Sequence, residues 1–149
     1  MDIIGQLITS FIATAAFGVI FNAPKETLVK CGLVGMGGWI IYFISEKYTS
    51  DAILATFGAT LFVGIVSQEL AKFYKTPVII FSVAGIIPLV PGGLAYDTMR
   101  NFVENDYFSA LTLGAKVTML SGSIAFGLVF SEVINQVIRR IKRSKVLKI

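Results

Sequence analysis

Five apolar stretches, at 3–21, 28–45, 52–70, 77–90 and 110–138, alternate with short polar gaps along the chain. The first three approach the roughly 20 residues a helix needs to cross the hydrocarbon core of a bilayer. The fourth is short, because the run FSVAGIIPLVPGGLAYDTM at 81–99 is interrupted by Pro88, Pro91, Gly92 and Gly93 before it can finish as an ordinary helix. The fifth is overlong, so it starts outside the hydrocarbon, tilts, or runs past the inner face toward Arg139. Only one gap is substantial, 92–109, which reads as the end of the break followed by a short helix at 94–103 with Asp97, Arg100 and Glu104 at helical spacing. The pattern predicts an all-α integral membrane protein. It is a single transmembrane domain over 1–149 with about five transmembrane helices, the fourth broken by a Pro/Gly motif, and an outer loop carrying the short helix.

Composition agrees: 55% of residues are hydrophobic, 15% are charged and mean hydropathy is +0.79, whereas soluble domains carry roughly 25% charged residues. The first stretch has no positive leader and ends in Asn22-Ala23-Pro24, so it reads as a retained span. Cys31 stands alone, cannot form an internal disulfide, and reads as a small buried apolar residue. Charge then orients the chain. With the C-terminus inside, ten of the thirteen Lys and Arg lie on the inner side: Lys25, Lys30, Lys72, Lys75 and six in the tail from Arg139 to Lys148. A re-entrant fourth segment with the C-terminus still inside would move Lys25, Lys30, Lys72 and Lys75 outside. The bias favours five crossings, N-terminus outside and C-terminus cytoplasmic. The basic tail 139–149 reads as an inner-face anchor ahead of a specific lipid or partner contact, and well ahead of nucleic acid.

Small residues predict close helix contacts. Cys31, Gly35 and Gly38 share a face of the second span, and Thr118, Gly122, Ser123 and Gly127 do so on the fifth. Five short spans are too few to enclose a pathway alone, which implies a homo-oligomer or a second membrane subunit. The stretches 13–25 and 59–72 are weakly similar and hint at a parallel repeat relating spans one and two to spans three and four.

Histidine is absent and cysteine single, so a histidine metal site, a Cys-His pair and a Ser-His-Asp triad are excluded. Gly92-Gly93 lacks the Lys-Ser/Thr of a nucleotide loop, and neither an enzyme nor a cofactor is expected. The break carries the sharpest chemistry. Each proline removes a backbone donor, so carbonyls at 86–90 lose intrahelical partners. Such backbone is tolerated at membrane depth where it is buried in protein or lines a wet cavity, as in transporter substrate sites. The first-turn amides after Gly92 and Gly93 could bind a carboxylate, with Tyr96 and Asp97 adding an amine or hydroxyl contact. Alternatively, the motif merely ends the span. Lys116, about one and a half turns into the fifth segment, snorkels to the outer interface, binds an anionic substrate, or pairs with Asp97, Glu104 or Asp106. Glu69 is an inner-interface charge near Lys72 or a proton carrier. Glu132 is held by Gln136 and Arg139 or serves the same coupling role.

PLVPGG at 88–93, preceded by FSVAGIIP and followed by AYDTM, together with SQELAKFYKTP at 67–77 and FNAPK at 21–25, resembles the threonine/serine exporter (ThrE) family, most closely its YjjB-like small membrane subunit. The resemblance implies a partner, a larger YjjP-like subunit with its own membrane helices and a soluble domain. It also implies export of a small carboxylate substrate such as threonine, serine or a dicarboxylate like succinate. Of the site residues, it reaches only Pro88, Pro91, Gly92 and Gly93. A non-transporting membrane scaffold or assembly subunit is the alternative, and a channel lacks the continuous polar stripe it would need.

Overall fold

The computed structural model describes residues 3–146, with side chains as far as residue 141. They form α1 (Ile3–Ile20), α2 (Lys25–Thr49), α3 (Ala52–Tyr74), α4 (Val78–Ile86), a 3-10 turn at Ile87–Leu89, α5 (Gly92–Val103) and α6 (Tyr107–Val146). Among the described residues there is no strand. Lys148 and the rest of 147–149, the end of the expected basic tail, lie outside the described residues.

The interior is rich in small and hydroxylic residues, among them Cys31, Ala55, Ala59, Ala84, Thr14, Thr27, Thr56 and Thr60, beside a few larger ones such as Val63, Phe81 and Ile124, while most bulky Ile, Leu, Val and Phe side chains cover the outside of the helices. In water that arrangement would expose a large apolar surface; in lipid it is expected, because the solvent is as apolar as leucine and helices associate through close approach of small residues. The buried threonine hydroxyls need no neighbouring helix. Thr14, Thr56 and Thr60 donate to the carbonyls of Ser10, Ala52 and Thr56, one turn back on their own helices, at 2.8, 2.6 and 2.7 Å. Among the described residues, four helices are long and apolar enough to cross a membrane, and the bent pair Val78–Leu89 and Gly92–Val103 makes a fifth candidate.

The small-residue faces are mostly as the sequence predicts. A Cβ on Gly35 would strike Thr14 of α1, one on Gly38 would strike Val63 of α3, and one on Gly127 would meet Thr60 and the Phe57 carbonyl. Gly122 and Thr118 differ: nothing lies within 4 Å of a Cβ on Gly122, and Thr118 is exposed.

Two turns share one conformation. Asn22 (φ 55°) ends α1 and Pro24 (φ −54°, ψ 136°) starts α2; Lys75 (φ 52°) ends α3 and Pro77 (φ −58°, ψ 137°) starts α4. The matching residues stand 53 apart, a different register from the sequence similarity noted above. The same offset carries Gly35 and Gly38 of the unbroken α2 onto Pro88 and Pro91. The second hairpin therefore breaks where the first makes its closest contacts.

The break has two legs. α4 has nine residues and the 3-10 turn three, so together they are too short to cross alone. α5 begins at Gly92, two residues before the predicted start, and its axis is bent by 55° from the first leg. The short helix expected within 92–109 is α5 itself, and 104–106 is a tight turn in which Asn105 adopts φ 64°. Asp106 accepts from the Ser109 amide at 3.2 Å, and hydrogen bonds from Ser109 hold its carboxyl below the usual carboxylate range.

α6, with 40 residues, resolves the overlong fifth segment. Near the start of α3, α6 is held by Ser123, whose hydroxyl donates to the Ile53 carbonyl at 2.7 Å, and Met119 and Leu120 already line spaces shared with α3. The stretch 107–118, about 18 Å of helix along its own axis, has α5 alongside it.

Candidate functional site

Around the break, the proline geometry removes donors in the expected places and the chain partly compensates. The Ile87 amide donates to the Ala84 carbonyl, Val90 to Ile87 at 3.3 Å, and Gly92 to Val90 at 2.8 Å. α5 starts without a side-chain cap. Among the described residues, the Gly93 and Leu94 amides have no backbone acceptor, so they remain as donors at the positive end of the helix.

These donors face a cavity of about 270 Å³ lined by Trp39, Tyr42, Thr56, the whole stretch from Pro88 to Leu94, and Leu120. Gly92 and Gly93 have ordinary negative φ, and a Cβ on either would meet no atom within 4 Å. Glycine here is therefore demanded neither by backbone conformation nor by a neighbour. It leaves the first turn uncovered.

The structure brings Pro88, Pro91, Gly92 and Gly93 together and leaves three expected site residues elsewhere. Tyr96 and Asp97 are exposed on α5 and do not line this cavity. Lys116 is exposed on α6, seven residues and so about 10 Å along the helix from Ser123, and does not line this cavity. None of its expected acidic partners engages it among the described residues: Glu104 accepts from Arg100 at 2.9 Å and Asp106 caps α6. Gln6, Trp39, Tyr42 and Thr56 are the residues sequence reasoning missed. A polar residue and the sole tryptophan inside otherwise apolar spans were the available signals.

Glu69 and Glu132 belong to a second polar group at the opposite end of the α3–α6 interface. Gln68 is 3% exposed and donates from Nε2 to Glu132 Oε2 at 2.9 Å, while Gln136 donates to Glu132 Oε1 at 3.2 Å. Lys72 bridges Glu69 and Asn135 Oδ1, the latter at 2.8 Å. Glu132 thus has Gln136 as expected and Gln68 in addition. The Oε1 of Gln68 and the hydroxyl of Ser67 are buried without a partner.

The sequence profile of the family described as Threonine/Serine exporter, ThrE, matches residues 6–134, nearly the whole membrane region and every residue of the break. The chain belongs to the threonine/serine exporter family. Among curated relatives, it is similar to an uncharacterized protein of Haemophilus influenzae, 25% identical over 136 residues, which cover 86% of this chain and 46% of that one. The chain thus spans about half the length of the curated relative it matches. No solved structure matches it. Membership makes this a multi-pass membrane protein of a transporter family, with the break inside the matched region.

Proposed function

We propose that this chain is the membrane subunit of a two-component secondary exporter of small carboxylate metabolites, threonine and serine or dicarboxylates such as succinate. It works with a larger YjjP-like subunit in a bacterial inner membrane, its N-terminus outside and its C-terminus cytoplasmic. The observation that carries this reading is the bent pair, with its uncapped α5 amides opening on a cavity at the junction. Broken helices whose positive ends meet an anionic group are a recurring way to build a midplane substrate site. The length of the Haemophilus influenzae relative, about twice this chain, supports the need for a second component. Glu132, bridged to a buried glutamine, supports a coupling role for that carboxylate.

The test is efflux of labelled threonine, serine and succinate from cells expressing the chain and the larger-subunit candidate, singly and together. Wild type is compared with Gly92→Leu at matched membrane abundance. A leucine has room at Gly92 and would cover the first turn of α5, so flux needing both chains should fall by about tenfold or more, equivalent to about 1.4 kcal/mol. Assembly lost in parallel with flux would instead favour the scaffold alternative.

A further inference from the structure

The cavity at the break is one of three that share a wall, and that wall is Trp39. A crevice of about 400 Å³ between α1 and α2 has Lys47 and Tyr48 at its rim. A second space of about 320 Å³ lies between Gln6, Ser10 and Pro88. The third is the break cavity itself, and the half-buried indole of Trp39 lines all three. Pro88 closes the second and third from the opposite side.

The partition is lightly held. Trp39 Nε1 donates to Gln6 Oε1 at 3.2 Å, the long end of the hydrogen-bond range, and its ring rests on Tyr42 with centroids 5.3 Å apart. Gln6 sits on a lightly anchored stretch of α1. The buried residues of α1 are Ser10, Thr14 and Gly18, all beyond its first two turns, and a Cβ on Gly5 would meet nothing within 4 Å. Swinging one ring, with the release of one neutral hydrogen bond, would join the crevice at Lys47 to the uncapped amides of α5.

We propose that Trp39 and Gln6 form the gate on the substrate route between the Lys47 rim and the break, an inference that rests on reading the break as a transport site. The polar groups along the route set the ligand class, the rest of the crevice being lined by Ile3, Leu7, Ile40, Phe43 and Ile44. A small carboxylate passes the Lys47 ammonium. Once Trp39 turns away, the freed Gln6 carboxamide takes up the ligand's hydroxyl, ammonium or second carboxylate, and the first carboxylate reaches the amides of Gly93 and Leu94. Trp39 and Gln6 then decide access, and the break binds.

Trp39 is the sole tryptophan, so the intrinsic fluorescence of this chain reports the gate directly. The experiment reconstitutes the chain with its larger-subunit candidate in proteoliposomes, confirms the larger subunit's own tryptophan signal by subtracting a Trp39→Phe control, and measures acrylamide quenching with and without L-serine, L-threonine and succinate. A transported ligand should change the quenching constant of Trp39 by about twofold. Gln6→Leu, which keeps the bulk and removes the acceptor, should raise the unliganded constant by a similar factor and abolish the ligand response. If wild type transports and Gly92→Leu does not, yet Trp39 quenching is the same with and without ligand, the gate is wrong and the transport site stands. If quenching is unchanged by Gln6→Leu, the pairing is wrong. Absence of both transport and any ligand-dependent quenching overturns the gate and the transport reading together.

Discussion

At the scale of single residues, two sites separate tolerance of structure from demand of function. A helix interior disfavours glycine by about 1 kcal/mol relative to alanine, and Gly92 and Gly93 open α5 with free space around each would-be Cβ. Gly92→Ala should therefore leave thermal unfolding in detergent unchanged or stabilised by up to about 1 kcal/mol and retain flux, in contrast to Gly92→Leu. A strongly destabilised alanine variant would show that the backbone does need glycine there. Glu132 poses the complementary question. In Glu132→Gln the new carboxamide oxygen still accepts from Gln68, so stability should shift by less than about 1 kcal/mol, since polar contacts between membrane helices average about 0.6. If the carboxylate carries the coupling proton, the variant's flux loses its dependence on pH. An unaltered pH profile would assign Glu132 to packing. Glu69 is the weaker candidate, because its exposed pair with Lys72 is the kind of surface contact that contributes little.

At the scale of elements, the α5–α6 hairpin is the least satisfied part of the molecule. α5 has no buried residue, and Phe108 and Leu111, on the first turns of α6, are 83% and 77% exposed. Among the described residues α5 packs chiefly on α6, which leaves the outer face of the hairpin uncovered. If the larger subunit docks there, Phe108→Ser with Leu111→Ser should abolish co-purification of the two chains. The isolated chain's stability should change by no more than about 0.5 kcal/mol. Undiminished co-purification would move the interface elsewhere. The hairpin also marks where reading the sequence stopped short. Run length and the Pro/Gly motif suffice to draw five apolar segments and to place the break. Hydropathy along one helix, however, does not say where that helix meets its neighbour. Lys116 therefore looks embedded in an apolar run when it is exposed on α6, and the short helix expected at 94–103 begins at Gly92 and is bent by 55° from the leg before it. The break's own residues were legible because proline and glycine act locally. Its walls were not, since Trp39, Tyr42, Thr56 and Leu120 arrive from three other helices, and nothing local in their sequence ties them to residue 88.

At the scale of the whole molecule, the bend decides how the chain threads the bilayer. A re-entrant loop must reverse direction, but at 55° the second leg still advances along the first. α4, the 3-10 turn and α5 together progress about 28 Å along the α4 direction, close to the roughly 30 Å of hydrocarbon they would have to cross. The turns at 22–24 and 75–77, which carry or adjoin Lys25, Lys72 and Lys75, should therefore share one side of the membrane, and 50–51 and 104–106 the other. The prediction can be tested on a background in which the buried Cys31 is replaced by serine, with single cysteines placed at Lys75 and Asn105. Both sites lie in exposed turns, so a membrane-impermeant maleimide reports sidedness and not burial. In intact cells Asn105→Cys should label and Lys75→Cys should label only after permeabilisation, as the distribution of Lys and Arg requires. Labelling of both from one side would mean that the bent pair turns back inside the membrane. The α5 amides would then open toward the same face as the Lys75 turn, and the break would be a vestibule on one side, not the middle of a route across.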